Sequence, residues 1–227
     1  MEMTDLYIKL NRIFVSVIPM LLGIICHEVA HGYVAYRCGD PTAKLSGRLT
    51  LNPIVHIDLW GSITFIVTAL AFPFALGWAK PVPVDTRNLR KPRRDMALVA
   101  VAGPATNFIL AALFMIGFLL TVLVFNENQQ SVVYQFFYDM LRTGVFLNLV
   151  LCFFNLIPIP PMDGSRLVSM VLPYKAARTY NQLERYGMLI ILVLLATNVF
   201  GRVIFPLVEA CAEGMYLLFM HVIQLFM

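Results

Sequence analysis

The stretch that decides the fold is IFVSVIPMLLGIICHEVAHGYVAY, residues 13–36. It is apolar along most of its length, and as an α-helix it would extend about 36 Å, enough to cross the hydrocarbon core of a bilayer with some tilt. Its second half nevertheless contains His27, Glu28 and His31. Two imidazoles and a carboxylate within about one turn of a spanning helix are costly unless they have partners, so they indicate a functional site.

The composition of the whole chain agrees with this first stretch. Of 227 residues, 59% are hydrophobic and 13% are charged, whereas a soluble domain carries about 25% charged residues. Uncharged gaps occupy residues 59–79, 96–126, 143–162 and 186–201. The chain is therefore an integral membrane protein, which excludes a soluble enzyme, a nucleic-acid binder and a disordered tail. The net charge of +4 bears on orientation in the bilayer and does not indicate an anionic partner.

The apolar runs predict an all-α polytopic bundle of about five to six transmembrane helices. Clean spans are expected at residues 13–36, 96–125 and 143–160, and one or two more between 186 and 227, with a break near Gly201 to Pro206. We interpret residues 1–227 as a single membrane-embedded domain. Its core would be residues 13–172, and residues 186–227 would form accessory helices.

Basic residues predict which loops face the cytoplasm. Lys80 to Asp95 and Asp163 to Arg185 are both rich in Lys and Arg, and such loops lie inside by the positive-inside rule. Residues 126–142 carry one Arg and two acids and are expected to form an external loop. The basic residues of the first cytoplasmic loop are Lys80, Arg87, Arg90, Lys91, Arg93 and Arg94.

The sequence HEVAH at residues 27–31 has the HExxH pattern. Positions i and i+4 of a helix share one face, so His27 and His31 can both present a ring nitrogen to one zinc ion. Glu28 follows the first ligand and can act as general base toward zinc-activated water. The membrane setting makes a metal site a far better explanation than an ordinary polar helix face.

A catalytic zinc generally has three protein ligands and an open position, so one ligand must come from elsewhere. Asp163 is favoured, because it follows an uncharged run and a Pro-rich break and should lie at the membrane boundary. Other candidates remain open. These are His56 with Asp58, which are most simply loop residues after an Asn-Pro turn, Asp139 on the external side, and His221, which is isolated in the last apolar run.

Three motifs in order carry a resemblance to a known family. HEVAH (27–31) is followed by AGPATN (102–107) and NLIPIPPMDG (155–164). Together they resemble the site-2 protease family of intramembrane zinc metalloproteases over about residues 20–170. The stretch GRLTLNPIVHIDLWGS (47–62) is similar to the compact bacterial branch without a PDZ domain. The family often has another helix before the one bearing HExxH, whereas here 12 residues precede the first apolar run.

The resemblance implies roles for particular residues. His27, His31 and Asp163 would bind one zinc ion per chain. Glu28 would be the catalytic base, and Asn155 would hydrogen-bond the substrate carbonyl or the developing oxyanion. Asn107 would support the site from between core helices, either as an interhelical structural amide or in a more direct role.

The order of the motifs also makes a prediction about residues 59–79. One zinc can meet both motifs if residues 13–36 and 143–160 end on the cytoplasmic side, so residues 37–58 and 80–95 both lie inside. Residues 59–79 must then return to the side that they left, as a re-entrant or shallow hairpin turning around residues 71–77. The alternative is a full span with the N-terminus inside, which would place the two histidines near the external half of the membrane, away from Asp163. Strand-like segments at 44–51 and 78–84 are expected near the site, where they could pair with an unwound substrate.

These observations favour an endopeptidase that cleaves transmembrane segments of other proteins in a bilayer, in a bacterial inner or plasma membrane, with its active site toward the cytoplasm. No nucleic-acid partner is expected. A membrane metal-ion transporter and a non-proteolytic protein that binds membrane helices are the alternatives. The absence of internal repeats argues against the transporter, and the intact Glu28 argues against a pure binder. The residues specify neither a substrate nor an oligomeric state.

Overall fold

The computed structural model describes residues 2–71, 78–125 and 131–226. Within these ranges the chain is helical with no β-sheet, which confirms the all-α class. Two single 3-10 turns, Pro53–Val55 and Thr86–Asn88, lie in the connections. The α-helices are α1 (Glu2–Arg37), α2 (Thr42–Leu45), α3 (Leu59–Ala71), α4 (Pro92–Val124), α5 (Val132–Asn155), α6 (Gly164–Val171), α7 (Tyr174–Asn181), α8 (Glu184–Ala196) and α9 (Val199–Phe226).

Four of the described helices are long and apolar enough to cross a membrane. These segments are Ile13–Arg37, Pro92–Val124, Val132–Asn155 and Gly201–Leu225. Helices α3 and α8 have 13 residues each, which is about 20 Å of helix and less than the hydrocarbon thickness of about 30 Å. The described residues therefore supply four spans, fewer than the five to six that the apolar runs predict.

Helix α5 begins earlier than the sequence predicts. Residues 132–142 were expected in an external loop, yet they form the first turns of α5. The reason is aromatic packing against the end of α4. Between ring centroids, Tyr138 lies 5.0 Å from Phe118 and Tyr134 lies 5.9 Å from Phe125. These tertiary contacts stabilise the start of α5 as helix, although its charged residues had indicated a loop.

The carboxyl-terminal break also lies elsewhere. It falls between α8 and α9, where Asn198 adopts a left-handed backbone with φ of 55°. Asparagine tolerates this conformation at the end of a helix better than most residues. Gly201 and Pro206, where the break was expected, both lie inside α9.

The predicted strands at 44–51 and 78–84 do not form. Thr42–Leu45 is helix α2, and the second segment contributes one isolated antiparallel bridge between Ile57 and Ala79. Pro81 and Pro83 explain the second case, because neither has an N–H group to donate to a strand ladder.

That bridge bears on the predicted hairpin of residues 59–79. Ile57 pairs with Ala79, and the Lys80 amide donates to the His56 carbonyl at 2.8 Å. The two ends of the segment are therefore side by side, as they must be if the chain returns to the side that it left. Residues 72–77 of the predicted turn lie outside the described residues.

Helices α1, α4 and α5 pack against one another and position the polar groups. Gly23 and His31 of α1 contact Asn107 and Val99 of α4, so these two helices are antiparallel. Helix α4 is antiparallel to α5 as well, because Asn107 meets Asn148 and Gly117 approaches Leu141. The carboxyl ends of α1 and α5 consequently lie beside the amino end of α4. An apolar core extends away from this end between α4, α5 and α9, around Leu119, Leu149 and Val208.

Candidate metal centre

Three side chains converge at the end where α1, α4 and α5 meet. The Nε2 atoms of His27 and His31 are 2.9 Å apart, and Asp163 Oδ2 lies 3.1 Å from the first and 3.3 Å from the second. Among the described residues, this is the group of His, Cys, Asp and Glu side chains whose geometry could hold a metal ion. Of the candidates for a third ligand, Asp163 is the one that lies beside the two histidines in the described residues.

Local structure explains how each side chain reaches this point. His27 and His31 are four residues apart in α1 and share one helix face. Asp163 lies immediately before the first residue of α6, after the chain has turned through the Pro-rich segment 156–162 that follows α5. The turn brings the carboxylate back over the carboxyl-terminal half of α1.

Helix α4 fixes the orientation of both imidazoles. His27 Nδ1 donates to the Asn107 side-chain oxygen at 2.6 Å, and His31 Nδ1 donates to the Val99 carbonyl at 2.7 Å. A carbonyl oxygen can only accept, so in the neutral rings the proton lies on Nδ1 and the lone pair on Nε2. Both lone pairs therefore point into the same small space, an arrangement typical of metal-ligating histidines.

The donor set fits a zinc ion. Asp163 Oδ2 is buried and accepts no hydrogen bond, and the two Nε2 atoms beside it have no proton to offer. Three acceptor atoms in mutual contact repel one another unless a cation lies between them. Ligand atoms around tetrahedral zinc, at about 2.0–2.2 Å from the ion, are about 3.3–3.6 Å apart, close to the separations of 2.9–3.3 Å found here.

A glycine on α4 makes room for the two rings. A Cβ atom at Gly103 would lie 2.6 Å from the His27 ring and 2.6 Å from His31 Cε1. Real Cβ contacts are essentially never that short. Gly103 in the AGPATN motif is therefore required by the close approach of α1 to α4.

Asn107 belongs to a buried network of amides. Its Nδ2 donates to the Gly23 carbonyl at 3.1 Å and to Asn148 Oδ1 at 3.0 Å, and Asn148 Nδ2 donates to the Gly144 carbonyl at 2.9 Å. Both asparagines are fully buried. The network links α1, α4 and α5 and fixes the oxygen that accepts the hydrogen bond from His27 Nδ1, so Asn107 both joins the helices and orients the His27 ring.

Glu28 lies next to this cluster on α1 and is half-buried. Its Oε2 accepts a hydrogen bond of 2.7 Å from the backbone N–H of Val82. Among the described residues no group donates to the other carboxylate oxygen, which leaves it available to accept a proton.

Arg93 on α4 contacts the helix that follows Asp163. Its guanidinium donates to the carbonyls of Ser169 and Met170, each at 2.8 Å, and to that of Leu172. These are carbonyl groups at the carboxyl end of α6, where a cation is favourable. Arg93 thereby ties α6 to the helix that orients both histidines.

The remaining candidates from the sequence lie in other settings. His56 is buried and its Nε2 contacts the Thr50 carbonyl at 2.8 Å, while Asp58 accepts from the Gly61 amide at 2.8 Å at the start of α3. Asp139 belongs to α5 and His221 to α9, and neither joins the cluster.

Asn155 is the last residue of α5. Its Nδ2 donates to the Leu151 carbonyl of the same helix at 2.9 Å. An amide nitrogen carries two hydrogens, so a second one can donate elsewhere. Its assignment to the substrate stays a prediction.

Several supporting groups were missed by sequence reasoning. Asn148 has a signal in the sequence, since it is an amide in the middle of an apolar run. Arg93 was interpreted as an ordinary charge of a cytoplasmic loop. The Val99 carbonyl and the Val82 amide are backbone groups that every residue type offers, so no sequence pattern marks them.

An HExxH pair completed by a distant carboxylate, on helices long enough to span a bilayer, defines the class of membrane zinc metalloproteases. The chain matches the model of peptidase family M50 over residues 15–197. It therefore belongs to peptidase family M50, the site-2 protease family, and is a zinc metalloprotease.

Individual relatives agree with this membership. "Putative zinc metalloprotease YwhC" of Bacillus subtilis (strain 168) is 39% identical over 225 residues, which cover 96% of this chain and 97% of that protein. "Putative zinc metalloprotease Rip2" of Mycolicibacterium smegmatis is 31% identical over 199 residues, or 86% of this chain and 72% of that protein. "Zinc metalloprotease MJ0392" of Methanocaldococcus jannaschii is 28% identical over 167 residues, which cover 73% of this chain but 37% of that protein. No solved structure matches the chain.

Proposed function

We propose that this zinc metalloprotease hydrolyses peptide bonds within or near transmembrane segments of other membrane proteins. The observation that carries the proposal is the position of the site. His27, His31 and Asp163 meet beside the ends of three helices of membrane-spanning length. A substrate segment in the same bilayer could reach such a site without leaving the membrane.

His27, His31 and Asp163 would hold one zinc ion per chain. When bound, zinc would supply Lewis acidity, which polarises the scissile carbonyl and lowers the pKa of water. Glu28 would accept the proton of the attacking water on its free carboxylate oxygen and deliver it to the leaving amine nitrogen. Asn107 and the Val99 carbonyl would keep both imidazoles in the ligating tautomer throughout.

Asn155 is proposed to donate to the substrate carbonyl. It ends α5, eight positions before Asp163, and the second hydrogen of its amide can serve as a neutral donor to negative charge that develops on oxygen. Asn155→Ala is expected to lower kcat more than it raises KM, since the contact would strengthen as the charge develops.

We further propose that the protein is a multi-pass protein of a bacterial plasma membrane, with residues 1–227 as one domain and the site toward the cytoplasm. The antiparallel packing of α4 against α1 and α5 supports this orientation. It brings the basic loop 80–95 and the basic segment 163–185 to the end that contains the site. Single cysteines at Lys44 and Arg90, in a background without native cysteines, should react with an impermeant thiol reagent from the same side. Labelling from opposite sides would refute the arrangement.

The test of the activity is the substitution Glu28→Gln. It keeps the size of the side chain and removes the base, so zinc content should stay at one per chain while cleavage stops. Membrane proteomes of cells with wild-type and Glu28→Gln protein would be compared for transmembrane fragments that disappear, with Glu209→Gln on α9 as the charge-matched control. Fragments that persist in the Glu28→Gln sample would disprove the role of Glu28.

The ligand set has a separate test. Asp163→Ala should lose zinc from the purified protein, because two imidazoles alone make a weak site. A full zinc complement in Asp163→Ala would exclude Asp163 as a ligand. Zinc uptake into vesicles that contain the wild-type protein would favour the transporter instead. Among the residues that the structure describes, however, one group that could hold a metal ion is found, whereas a transport path needs successive sites.

A further inference from the structure

In the tripeptide Pro81-Val82-Pro83, the N–H of Val82 is the one backbone hydrogen-bond donor, because proline has no N–H group. It donates to Glu28 Oε2 at 2.7 Å. We infer that the segment of residues 81–90, here called the strap, positions the catalytic glutamate through this single amide, and that buried Asp40 is the anchor that holds the strap in place. The inference rests on the proposed role of Glu28 as base.

The strap packs against one face of α1. Glu28, Gly32 and Ala35 are spaced i, i+4 and i+7 and so share a helix face. A Cβ atom at Gly32 would lie 2.7 Å from Val82 Cγ1, which shows how closely Val82 packs one turn beyond Glu28. Leu89, at the other end of the strap, packs in a buried cluster with Ala35.

Asp40 fixes the strap from beyond the end of α1. It is fully buried, although it is a carboxylate. Its Oδ2 accepts from the Asp85 amide at 2.7 Å, and its Oδ1 accepts from Asn88 Nδ2 at 2.9 Å and from the Thr42 amide at 3.1 Å. The Thr42 hydroxyl donates to the same Oδ1. A buried carboxylate is stable only when its oxygens are this well satisfied, so removing its charge should loosen the strap.

The flanking prolines fix the geometry of the hydrogen bond between Val82 and Glu28. They restrict Val82 to an extended conformation and leave its N–H with no competing donor beside it. A glutamate on a helix otherwise samples several rotamers. Holding Oε2 through Val82 leaves the second oxygen free to take a proton. Val82 thus acts on Glu28 directly, and Asp40 is a positioning residue that acts through the strap.

Amide hydrogen exchange tests this directly in the full-length zinc protein. Pro81 and Pro83 have no amide hydrogen, so exchange at Val82 is followed as its own resonance in the NMR spectrum of protein labelled with 15N-valine. We expect this amide to exchange at least about tenfold slower than in an unstructured peptide in wild type, and to lose that protection in Glu28→Ala and in Asp40→Asn. Arg87→Ala, on the exposed side of the strap where Arg87 pairs with Asp85, is the matched control and should keep it.

The outcomes are separable from the test of cleavage. Equal protection in wild type and Glu28→Ala would overturn the contact. Equal protection in wild type and Asp40→Asn would overturn the anchor. Should Asp40→Asn fail to fold, Asn88→Ala removes one donor to the same carboxylate and should raise exchange at Val82 in the same direction. Loss of cleavage in Glu28→Gln is independent of all these results.

Activity supplies a second readout. Arg87→Ala, on the exposed side of the strap, leaves the Val82 N–H in place and should retain kcat within about threefold. Val82→Pro removes the N–H and should lower kcat about 10- to 100-fold at unchanged KM and zinc content, as expected for a misplaced catalytic group. Equal kcat in the two variants would overturn the role of the amide.

Discussion

Replacing Gly103 by alanine should lower the affinity for zinc about 100-fold or more without unfolding the protein. Gly103 lies on α4 opposite the rings of His27 and His31, and an added Cβ would be 2.6 Å from atoms of each. An ordinary contact begins at 3.4 Å. The methyl group faces rings that are held from behind by Asn107 and Val99, so neither ring can turn aside without breaking a hydrogen bond.

The distances set the size of the effect. Moving a contact from 2.6 to 3.4 Å requires a displacement of about 0.8 Å, whereas ligand positions in a metal site tolerate about 0.2 Å. Losing only the orienting partner of a ligand costs about 10- to 100-fold in affinity, so displacing two ligands should cost about 100-fold or more. Alanine in place of glycine inside a helix is worth about 0.5–1 kcal/mol of stability, which favours a helix that stays intact.

The assay is competition for zinc with a chelator in detergent, together with the thermal unfolding of the metal-free protein. Gly117→Ala is the matched control, since it lies in the same helix and its Cβ would meet the flexible end of the Leu141 side chain at 3.1 Å. Gly117→Ala should keep zinc and activity. Zinc affinity within about twofold of wild type in Gly103→Ala would refute the close approach of the rings to α4.

Three further predictions concern the groups around the site. Asn107→Ala should lower zinc affinity about 10- to 100-fold in the same competition, because the His27 ring loses its orienting acceptor; unchanged affinity would show that this contact is dispensable. Arg93→Ala should weaken zinc binding and raise proteolysis at the end of α6, while Arg94→Ala, which lacks the carbonyl contacts, should leave both as in wild type. Burial raises the pKa of Asp40, but the hydrogen bonds that it accepts outweigh burial and hold the pKa below its usual value. The stabilisation from the Asp40 charge should be present above about pH 4 and be lost as the pH falls through the lower pKa of the folded state. The melting temperature should therefore fall more steeply between about pH 5 and pH 3 in wild type than in Asp40→Asn. Parallel curves for the two proteins would contradict this.

The membrane class, the candidate pair of metal ligands and the candidate base could be predicted from the sequence, because they depend on local rules. Residues 13–36 are long and apolar enough to span, and His27 and His31 share a face at any place where that segment is helical. From the residues alone Asp163 is the favoured third ligand but other candidates stay open, since a carboxylate at a membrane boundary is not unique in this chain. The expected strands and the expected loop at 126–142 were wrong where the structure describes them, because prolines and aromatic packing outweighed the local patterns.

The tertiary structure alone decided which groups complete the site. The antiparallel packing of α4 on α1 brings Asn107 and the Val99 carbonyl to the two rings and requires glycine at 103. The same packing, with the strap fixed to buried Asp40, brings the Val82 amide to Glu28. Backbone amides and carbonyls are identical in every residue except proline, so their functions arise from position in three dimensions and leave no mark in the sequence.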